Sequence, residues 1–198
     1  MNYFVIKRFF DYALALLGFF IFLPFMAIIV FLIFIDDGLP IFYVKKTAGI
    51  YGKVFNILKF RSMKKGSLCI TRIGNFLRKT AMDELPQLAA IVKGEMSFVG
   101  PRPYSIDKYG ISKDINIDKI PLDMLSPDKM VFARRLNVTP GLTGLAQLYV
   151  PKHASDNEVL QFDLKYISMR NFWFDFYLIL LSVWVTVQKK WERKDKKL

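Results

Sequence analysis

The chain has 198 residues, of which 53% are hydrophobic, and carries a formal net charge of +12. This length fits one compact domain plus a membrane segment and leaves no room for two full domains. A chain that is both apolar and basic indicates a membrane surface or phosphate-bearing ligands, and nucleic acid is the competing explanation of the charge. The single cysteine excludes an intrachain disulfide, and the single histidine nearly excludes His-rich metal sites and a His-dependent catalytic pair. Any acid–base chemistry would then fall to carboxylates, lysine or tyrosine.

The first predicted element is an apolar helix, because residues 12–35 include no charged side chain. At about 1.5 Å per residue, this run could cross a hydrocarbon core of roughly 30 Å, so a single-pass transmembrane helix is one interpretation. A signal peptide fits poorly, since the run is too long and no small-residue cleavage site follows it.

A re-entrant helix is the other interpretation of the same run. Pro24 lies in its middle and predicts a bend, because proline removes one backbone hydrogen bond and clashes with the preceding turn. Basic pairs flank the run on both sides, at residues 7–8 and 45–46. Basic flanks stay on the cytoplasmic side of a membrane, so a helix that returns to the same face satisfies both, whereas a straight span satisfies one.

After residue 36 the pattern becomes that of a globular domain. Residues 41–44 and 54–58 indicate two short strands around a turn that contains Gly49 and Gly52, which predicts a β-hairpin. Apolar periodicity and stop signals such as Gly94 predict helices at residues 73–79, 84–93 and 159–168. The polar, irregular segment 104–128 predicts a long excursion and not a linker between domains.

The chain ends in an apolar segment and a basic tail. Residues 172–187 are apolar except for Asp175 and are short for a membrane span. Several of their large side chains share one helical stripe, namely Trp173, Phe176, Tyr177, Leu180, Trp184 and Val187. Tryptophan and tyrosine favour the headgroup level, which predicts an interfacial helix, with an ordinary core helix as the alternative. The tail, residues 189–198, is expected to be solvated and to approach anionic lipid.

One short segment combines two adjacent carboxylates with two upstream cations. Pro86 fits the first turn of a helix, which places Asp83 and Glu84 at or next to a helix N-terminus. Free N–H groups and the helix dipole favour anions and carboxylates there. With Arg78 and Lys79 just upstream, the pattern indicates a site for a phosphate, a metal ion and a nucleophile. An aspartate cap and an ordinary first-turn glutamate are the structural alternative.

A second candidate is Arg102, which lies between two prolines. Pro101 and Pro103 fix the backbone on either side of it, so its planar guanidinium would lose little entropy when it contacts a phosphate. A rigid turn with an exposed arginine is the alternative interpretation.

Two further segments hold weaker candidates. Lys59 and Arg61 share one face of the second predicted strand, where they could contact a pyrophosphate or simply face solvent. The turn-rich loop 139–144 precedes Gln147 and would let a ligand approach the backbone, although surface turns look the same.

Several common nucleotide and metal motifs are absent. Residues 49–53 have the wrong spacing for a P-loop and lack the following Ser or Thr. The sequence has no Gly-x-Gly-x-x-Gly run, no Cys/His metal pattern and no evident DNA-recognition helix, since its basic residues are spread over several segments.

In the content and order of its motifs, the chain resembles the bacterial sugar transferases, also called monotopic phosphoglycosyl transferases. The resemblance covers nearly the whole chain and rests on residues 7–8, Asp11, Pro24 and residues 40–43, 49–53, 59–63, 78–88, 93–103, 140–147 and 162–166. It implies an α+β fold with a re-entrant membrane anchor at residues 1–36 and a compact, helix-rich catalytic domain at residues 37–188. This domain would carry a small β-hairpin and interfacial amphipathic helices, and the basic tail would follow at residues 189–198.

The resemblance also implies an activity: transfer of a sugar 1-phosphate from a nucleoside diphosphate sugar, expected to be a UDP-sugar, to polyprenol (undecaprenyl) phosphate. This reaction would be the first membrane step of glycan assembly. Asp83 would be the nucleophile that holds the phosphosugar as an acyl phosphate, and Glu84 would hold Mg²⁺ beside it. The protein would act at the cytoplasmic face of a bacterial inner membrane, with no nucleic-acid partner and with an oligomeric state that the sequence does not give.

The same resemblance assigns the substrate contacts. Arg102, Arg78 and Lys59 would hold phosphate oxygens, and Arg61 and Gln147 complete the expected substrate-binding set. The rival class is a non-catalytic, basic, membrane-attached module that binds anionic lipid or nucleic acid. It explains the charge and the apolar composition, but not the carboxylate pair, the helix start and the proline-braced arginine in one chain.

Overall fold

A computed structural model describes residues 3–67, 69–112, 117–151 and 154–188, and it confirms the α+β class. The helices and strands are α1 (Tyr3–Asp37), β1 (Phe42–Ala48), β2 (Val54–Phe60), α2 (Arg72–Thr80), α3 (Leu88–Lys93), β3 (Ser97–Val99), α4 (Pro127–Ala133), β4 (Gly141–Thr143), α5 (Leu145–Tyr149), α6 (Asp156–Met169) and α7 (Phe172–Val187). Short 3₁₀ turns lie at Ile50–Gly52, Met82–Gln87, Ile106–Tyr109, Leu122–Met124 and Arg134–Asn137. The predicted basic tail at residues 189–198 lies outside the described residues.

The apolar run forms a single helix, α1, of 35 residues, which is about 52 Å long at 1.5 Å per residue. By length and composition it could cross a membrane, and only 11% of its most apolar window is buried in the protein. Pro24 is exposed and lies inside the helix, which continues on both sides of it. The re-entrant path stays a prediction at this stage.

Both ends of α1 contact the rest of the protein. Near its start, Ala15 is fully buried in a cluster that includes Leu88 and Ile91 of α3. Near its end, Ile29 and Ile33 pack in a second cluster with side chains of β2 and α2. The intervening side chains mostly face outward. The helix therefore lies along the domain, and two separate apolar contacts fix it there.

Two small sheets carry the site segments. The predicted hairpin is confirmed: β1 and β2 pair antiparallel, and Gly52 adopts a φ of +77° in the turn between them. The parallel pair of β3 and β4 was not predicted. Beside this pair of strands, the backbone at Gly100 lies very close to the backbone at Gly141. A Cβ atom on Gly141 would be 2.0 Å from the Gly100 nitrogen, which is why both positions are glycine.

The helical region after β2 differs in detail from the prediction. Thr71 caps α2, and its hydroxyl accepts a hydrogen bond from the Gly74 N–H at 2.8 Å. The single helix predicted at residues 84–93 is instead a 3₁₀ segment at residues 82–87 followed by α3. Pro86 lies in the second turn of the 3₁₀ segment and not in the first turn of the helix, because its missing N–H interrupts α-helical hydrogen bonding there. Gly94 ends α3 with a φ of +88°, as predicted.

The segment at residues 104–128 is irregular, as predicted, but its described part packs into the core. Ile106, Tyr109 and Ile120 are buried in one cluster with Phe132 and Leu136. This excursion therefore forms one wall of the domain.

The two C-terminal helices agree with the predicted helices, and α6 begins in a capping box between Ser155 and Glu158. All six side chains of the predicted α7 stripe are exposed, whereas Leu178 and Val185 are buried on the opposite side. Asp175 is also buried, and it accepts hydrogen bonds from Lys7 at 2.7 Å and from Tyr166 at 2.8 Å. The one charge in α7 thus anchors it to α1 and α6.

Candidate active site

Four charged side chains from three neighbouring elements form what we call the carboxylate cluster: Lys59, Arg78, Asp83 and Glu84. Lys59 extends from β2, Arg78 from the last turn of α2, and the two carboxylates from the first turn of the 3₁₀ segment. Only Ala81, with a left-handed φ of +56°, separates α2 from the 3₁₀ segment. This sharp junction brings the end of one helix and the start of the next to the same place.

Hydrogen bonds orient both cations of the cluster. The Lys59 ammonium forms an ion pair with the Glu84 carboxylate, and each of these side chains keeps a relative exposure of 33%. The Arg78 Nε donates to the Ser62 hydroxyl at 2.8 Å. Holding Arg78 by Nε leaves its two terminal nitrogens available to a planar anion such as a phosphate.

Asp83 is partly buried, and its neighbours act on its charge in opposite directions. Partial burial raises the pKa of its carboxyl group, the negative charge of Glu84 raises it further, and the charges of Lys59 and Arg78 oppose both effects. The N-cap position of the 3₁₀ segment is occupied by Ala81, and no side chain caps it. Asp83 therefore does not serve as the helix cap that was its structural alternative.

The donor set suits a magnesium ion in one coordination mode. Among the residues that the structure describes, no group of three or more His, Cys, Asp or Glu side chains could enclose a metal ion. Mg²⁺ is commonly held by one or two carboxylates together with substrate phosphates, and the adjacent Asp83 and Glu84 match that mode. Burial is the largest cause of the raised pKa of Asp83, and a divalent cation would relieve the second cause, the repulsion by Glu84.

Arg61 lies at a different place from its predicted neighbours. Its side chain is buried and donates to the carbonyl oxygens of Asp37 and Gly38, each at 2.8 Å, and it lies 3.1 Å from the Asp37 carboxylate. These contacts place a cation at the C-terminal end of α1, where the helix dipole favours it. The substrate contact of Arg61 stays a prediction, and its described contacts join the end of β2 to the C-terminal end of α1.

Arg102 and Gln147 belong to a second group, around β3 and β4. The Arg102 side chain is exposed, and the Gln147 amide nitrogen donates to the Gly141 carbonyl at 3.3 Å. Among the described residues, no hydrogen bond or ion pair joins this group to the carboxylate cluster. The structure thus brings together four of the predicted site residues in the carboxylate cluster. It places Arg102 and Gln147 elsewhere, around β3 and β4.

A family model for bacterial sugar transferases matches residues 2–189, nearly the whole chain. The chain belongs to the bacterial sugar transferase family. It is 33% identical to the uncharacterized sugar transferase EpsL of Bacillus subtilis, over 90% of this chain and 86% of that protein. It is 32% identical to the galactosyl transferase CpsE of Streptococcus agalactiae, over 94% of this chain and 43% of that protein.

A third relative of this sugar transferase comes from Escherichia coli. It is a UDP-glucose:undecaprenyl-phosphate glucose-1-phosphate transferase, 31% identical over 90% of this chain and 39% of that protein. The chain therefore spans less than half the length of two of these three relatives.

Three residues that support the site were not among the predicted site residues of this sugar transferase. Ser62 orients Arg78, and Asp163 and Arg135 contact the backbone of Arg102. Ser62 and Asp163 lie inside segments that carry the family resemblance, which was their only signal. Arg135 had no sequence signal, because an arginine beside a predicted irregular segment is ordinarily a solvated residue.

Proposed function

We propose that this sugar transferase moves a sugar 1-phosphate from a UDP-sugar to polyprenol phosphate. The observation that carries the proposal is the carboxylate cluster: an acidic pair at a helical start with a lysine and an arginine directed at it. Family membership supports the reaction class. The relatives from Escherichia coli and Xanthomonas campestris are both named as transferases of glucose 1-phosphate from UDP-glucose to undecaprenyl phosphate.

In this proposal the Asp83 carboxylate is the nucleophile. One of its oxygens bonds to the sugar-bearing phosphorus, the bond from that phosphorus to the bridging oxygen breaks, and the electron pair leaves with the nucleoside monophosphate. A phosphate oxygen of the polyprenol phosphate then attacks the same phosphorus, and the Asp83 carboxylate is released. The raised pKa of Asp83 supports the assignment, since a less solvated carboxylate is a stronger nucleophile.

The other members of the cluster neutralise the donor. Lys59 and Arg78 supply positive charge beside Asp83, and Arg102 supplies an exposed guanidinium on its own support. Glu84, with Asp83 beside it, would hold Mg²⁺ together with diphosphate oxygens. When bound, the ion supplies charge that stabilises the leaving phosphate.

The membrane arrangement is also part of the proposal. Both ends of α1 contact the same domain, so a re-entrant or in-plane path keeps all of these contacts. A straight span of about 30 Å would carry one contact region across the bilayer. The exposed stripe of α7 supports a second, interfacial attachment. With both attachments, the carboxylate cluster would lie near the headgroups on one face, which we infer to be the cytoplasmic face of a bacterial inner membrane.

Topology can be tested with single cysteines in a Cys69→Ser background. We expect Asn2→Cys and Val44→Cys, a position exposed on β1, to react with a membrane-impermeant maleimide from the same side of the membrane. Reaction from opposite sides would contradict the re-entrant path. Pro24→Leu should straighten α1 and move Asn2→Cys to the other side in part of the population.

The activity test is release of nucleoside monophosphate from a panel of nucleotide sugars. With Mg²⁺ and no polyprenol phosphate, we expect up to one equivalent of release per protein, and a phosphosugar mass on the peptide that contains Asp83. Adding polyprenol phosphate should convert this burst into turnover. Turnover without a burst would favour direct attack by the lipid phosphate, and no release with any nucleotide sugar would favour the non-catalytic membrane module.

Arg102→Lys tests the second phosphate contact. Lysine keeps the charge but loses the planar fork, so we expect kcat/KM to fall about tenfold to a hundredfold, the range for losing a hydrogen bond to a charged group. The matched control is Arg72→Lys, an exposed arginine at the start of α2. Full activity of Arg102→Lys would show that Arg102 is a rigid turn residue and not a phosphate contact.

A further inference from the structure

The backbone around Arg102 is held by hydrogen bonds on every side. The Gly100 N–H donates to the Thr143 carbonyl at 3.0 Å, and the Gly141 N–H donates to the Pro101 carbonyl at 2.9 Å. Prolines have no N–H, so Arg102 carries the one backbone donor of residues 101–103. That donor lies 3.3 Å from the Asp163 Oδ1, to which it donates.

Arg135 holds the other side of the same residue. Its Nη2 donates to the Arg102 carbonyl at 2.7 Å and also to the Asp163 Oδ2. The Arg135 guanidinium stacks on the ring of Tyr104, with 4.2 Å between the guanidinium carbon and the ring centroid. One carboxylate, one guanidinium and one aromatic ring therefore fix both peptide groups of a single residue, whose own side chain is exposed.

The burial of this ion pair makes stabilisation alone a poor explanation for it. The side chains of Arg135 and Asp163 are each 1% exposed, so both charges have lost their water. Burial outweighs the attraction of Arg135 and raises the pKa of Asp163 to about 6. Buried ion pairs are often neutral or unfavourable compared with apolar residues of the same volume, so the pair requires a function that apolar groups cannot perform. Donating to one backbone oxygen and accepting from one backbone nitrogen is such a function.

We propose that Arg135 and Asp163 are positioning residues that act through Arg102: they fix its backbone so that its guanidinium is held in place for the anionic part of the substrate. This inference rests on the proposed function, in which Arg102 contacts a phosphate. Helix α6 also approaches strand β3, which precedes Arg102, since the Tyr166 hydroxyl oxygen lies 3.2 Å from the Val99 carbonyl oxygen. Contacts from α6 and from the turn at residues 134–137 therefore determine the orientation of the Arg102 backbone.

The test uses Arg135→Lys and Asp163→Asn in the full-length protein. Lysine keeps the charge but cannot both stack on Tyr104 and bridge two acceptors, and asparagine keeps the acceptor for the Arg102 N–H without the charge. We expect KM for the nucleotide sugar to rise about tenfold to a hundredfold with a smaller change in kcat, because a misplaced binding group costs that much. The control is Asp156→Asn, which makes the same change as Asp163→Asn on the same helix, α6, but breaks an exposed ion pair with Lys108.

A double-mutant cycle separates positioning from general stability. In an Arg102→Ala background, Arg135→Lys should add little to KM, because the residue through which it acts is gone. Equal effects of Arg135→Lys with and without Arg102 would overturn the proposal, and so would a KM change no larger than that of Asp156→Asn. If Arg135→Lys does not fold, Asp163→Asn takes its place in the same cycle.

Hydrogen exchange provides a readout that needs no turnover. The Arg102 amide should exchange faster in both variants than in the wild type and in Asp156→Asn, while amides of α2 stay unchanged. An inactive wild-type protein with this exchange pattern would refute the proposed function and leave the backbone contact standing. An active protein with unchanged exchange and unchanged KM would refute the positioning role alone.

Discussion

The carboxylate cluster and the Arg102 segment use the same kinds of charged group in opposite ways. In the cluster, the Lys59–Glu84 ion pair keeps a relative exposure of 33% on each side chain. Beneath Arg102, the Arg135–Asp163 pair is 1% exposed on each side chain. A half-exposed pair can exchange its partners for a ligand at little cost, whereas a buried pair that loses a partner leaves an uncompensated charge.

This difference assigns separate tasks to the two regions. In the proposed function, the half-exposed pair is a resting arrangement, in which Lys59 neutralises Glu84 until Mg²⁺ and the donor diphosphate would replace these contacts. The buried pair is a fixed support whose hydrogen bonds end on the Arg102 backbone. Substitutions in the cluster should therefore change chemistry and metal dependence, and substitutions in the support should change donor binding.

The largest effect is expected for Asp83→Asn. The amide is a far poorer nucleophile but similar in size, and Asp83 is not the N-cap, so the fold should persist while turnover falls about a thousandfold or more. Steady-state release of nucleoside monophosphate and circular dichroism measure the two properties. Asp123→Asn, at an exposed position, is the control and should keep full activity. A folded Asp83→Asn protein with more than a few per cent of wild-type turnover would exclude Asp83 as the nucleophile.

Glu84→Gln should act on metal affinity before it acts on chemistry. Loss of one carboxylate from a two-carboxylate site should raise the Mg²⁺ concentration for half-maximal activity about tenfold or more, and added Mg²⁺ should restore part of the rate. Titration with Mn²⁺ followed by electron paramagnetic resonance measures affinity without turnover. Glu95→Gln, which follows α3, is the control. Unchanged Mn²⁺ affinity in Glu84→Gln would show that Glu84 serves only as the partner of Lys59.

The sequence predicted the elements whose signals are local. An uninterrupted apolar run indicated α1, two glycines between alternating segments indicated the hairpin, and the acidic pair beside a proline indicated a helical start. The parallel pair of β3 and β4 escaped prediction because each strand has three residues and its pairing partner lies far along the chain. Strands this short carry no periodic signal.

The site residues likewise divide into those with a local sequence signal and those whose contacts depend on tertiary structure. Lys59 and Arg61 share a strand face in sequence, yet one contacts Glu84 and the other contacts the end of α1. Their different contacts depend on tertiary structure. Arg61 lies just past the end of β2, where the carbonyl oxygens of Asp37 and Gly38 are close enough to accept hydrogen bonds from it. Arg135 could not be predicted at all, because its role depends on backbone atoms of a distant residue.

The buried Arg135–Asp163 ion pair should also change how the stability of the folded protein depends on pH. The pKa of Asp163 is raised to about 6 by burial, so between this value and its ordinary 3.8 the folded state holds more protons than the unfolded state. Lowering the pH from 7.5 to 4.5 should therefore stabilise the wild type relative to Asp163→Asn, by at most about 3 kcal/mol. Thermal unfolding in detergent at several pH values measures this gap. A gap that stays constant over the range would mean that Asp163 remains ionised throughout, with its attraction to Arg135 outweighing burial.

The smallest expected effect concerns the junction that positions the cluster. Ala81 adopts a φ of +56° between α2 and the 3₁₀ segment, a conformation that costs a non-glycine residue about 1–2 kcal/mol. Glycine removes this strain but adds freedom to the unfolded chain, so Ala81→Gly should raise the melting temperature by about 2 °C in a protein of this size. The control is Ala89→Gly in α3, where the same change should lower the melting temperature, because glycine destabilises a regular helix.

Turnover of Ala81→Gly is the informative second measurement. Hydrogen bonds and ion pairs already orient Arg78 and Glu84, so the relaxed junction should leave turnover unchanged. A more stable Ala81→Gly protein with reduced turnover would instead mean that the strained alanine itself holds the carboxylates in register, and the cluster would then depend on a rigid backbone as strongly as Arg102 does.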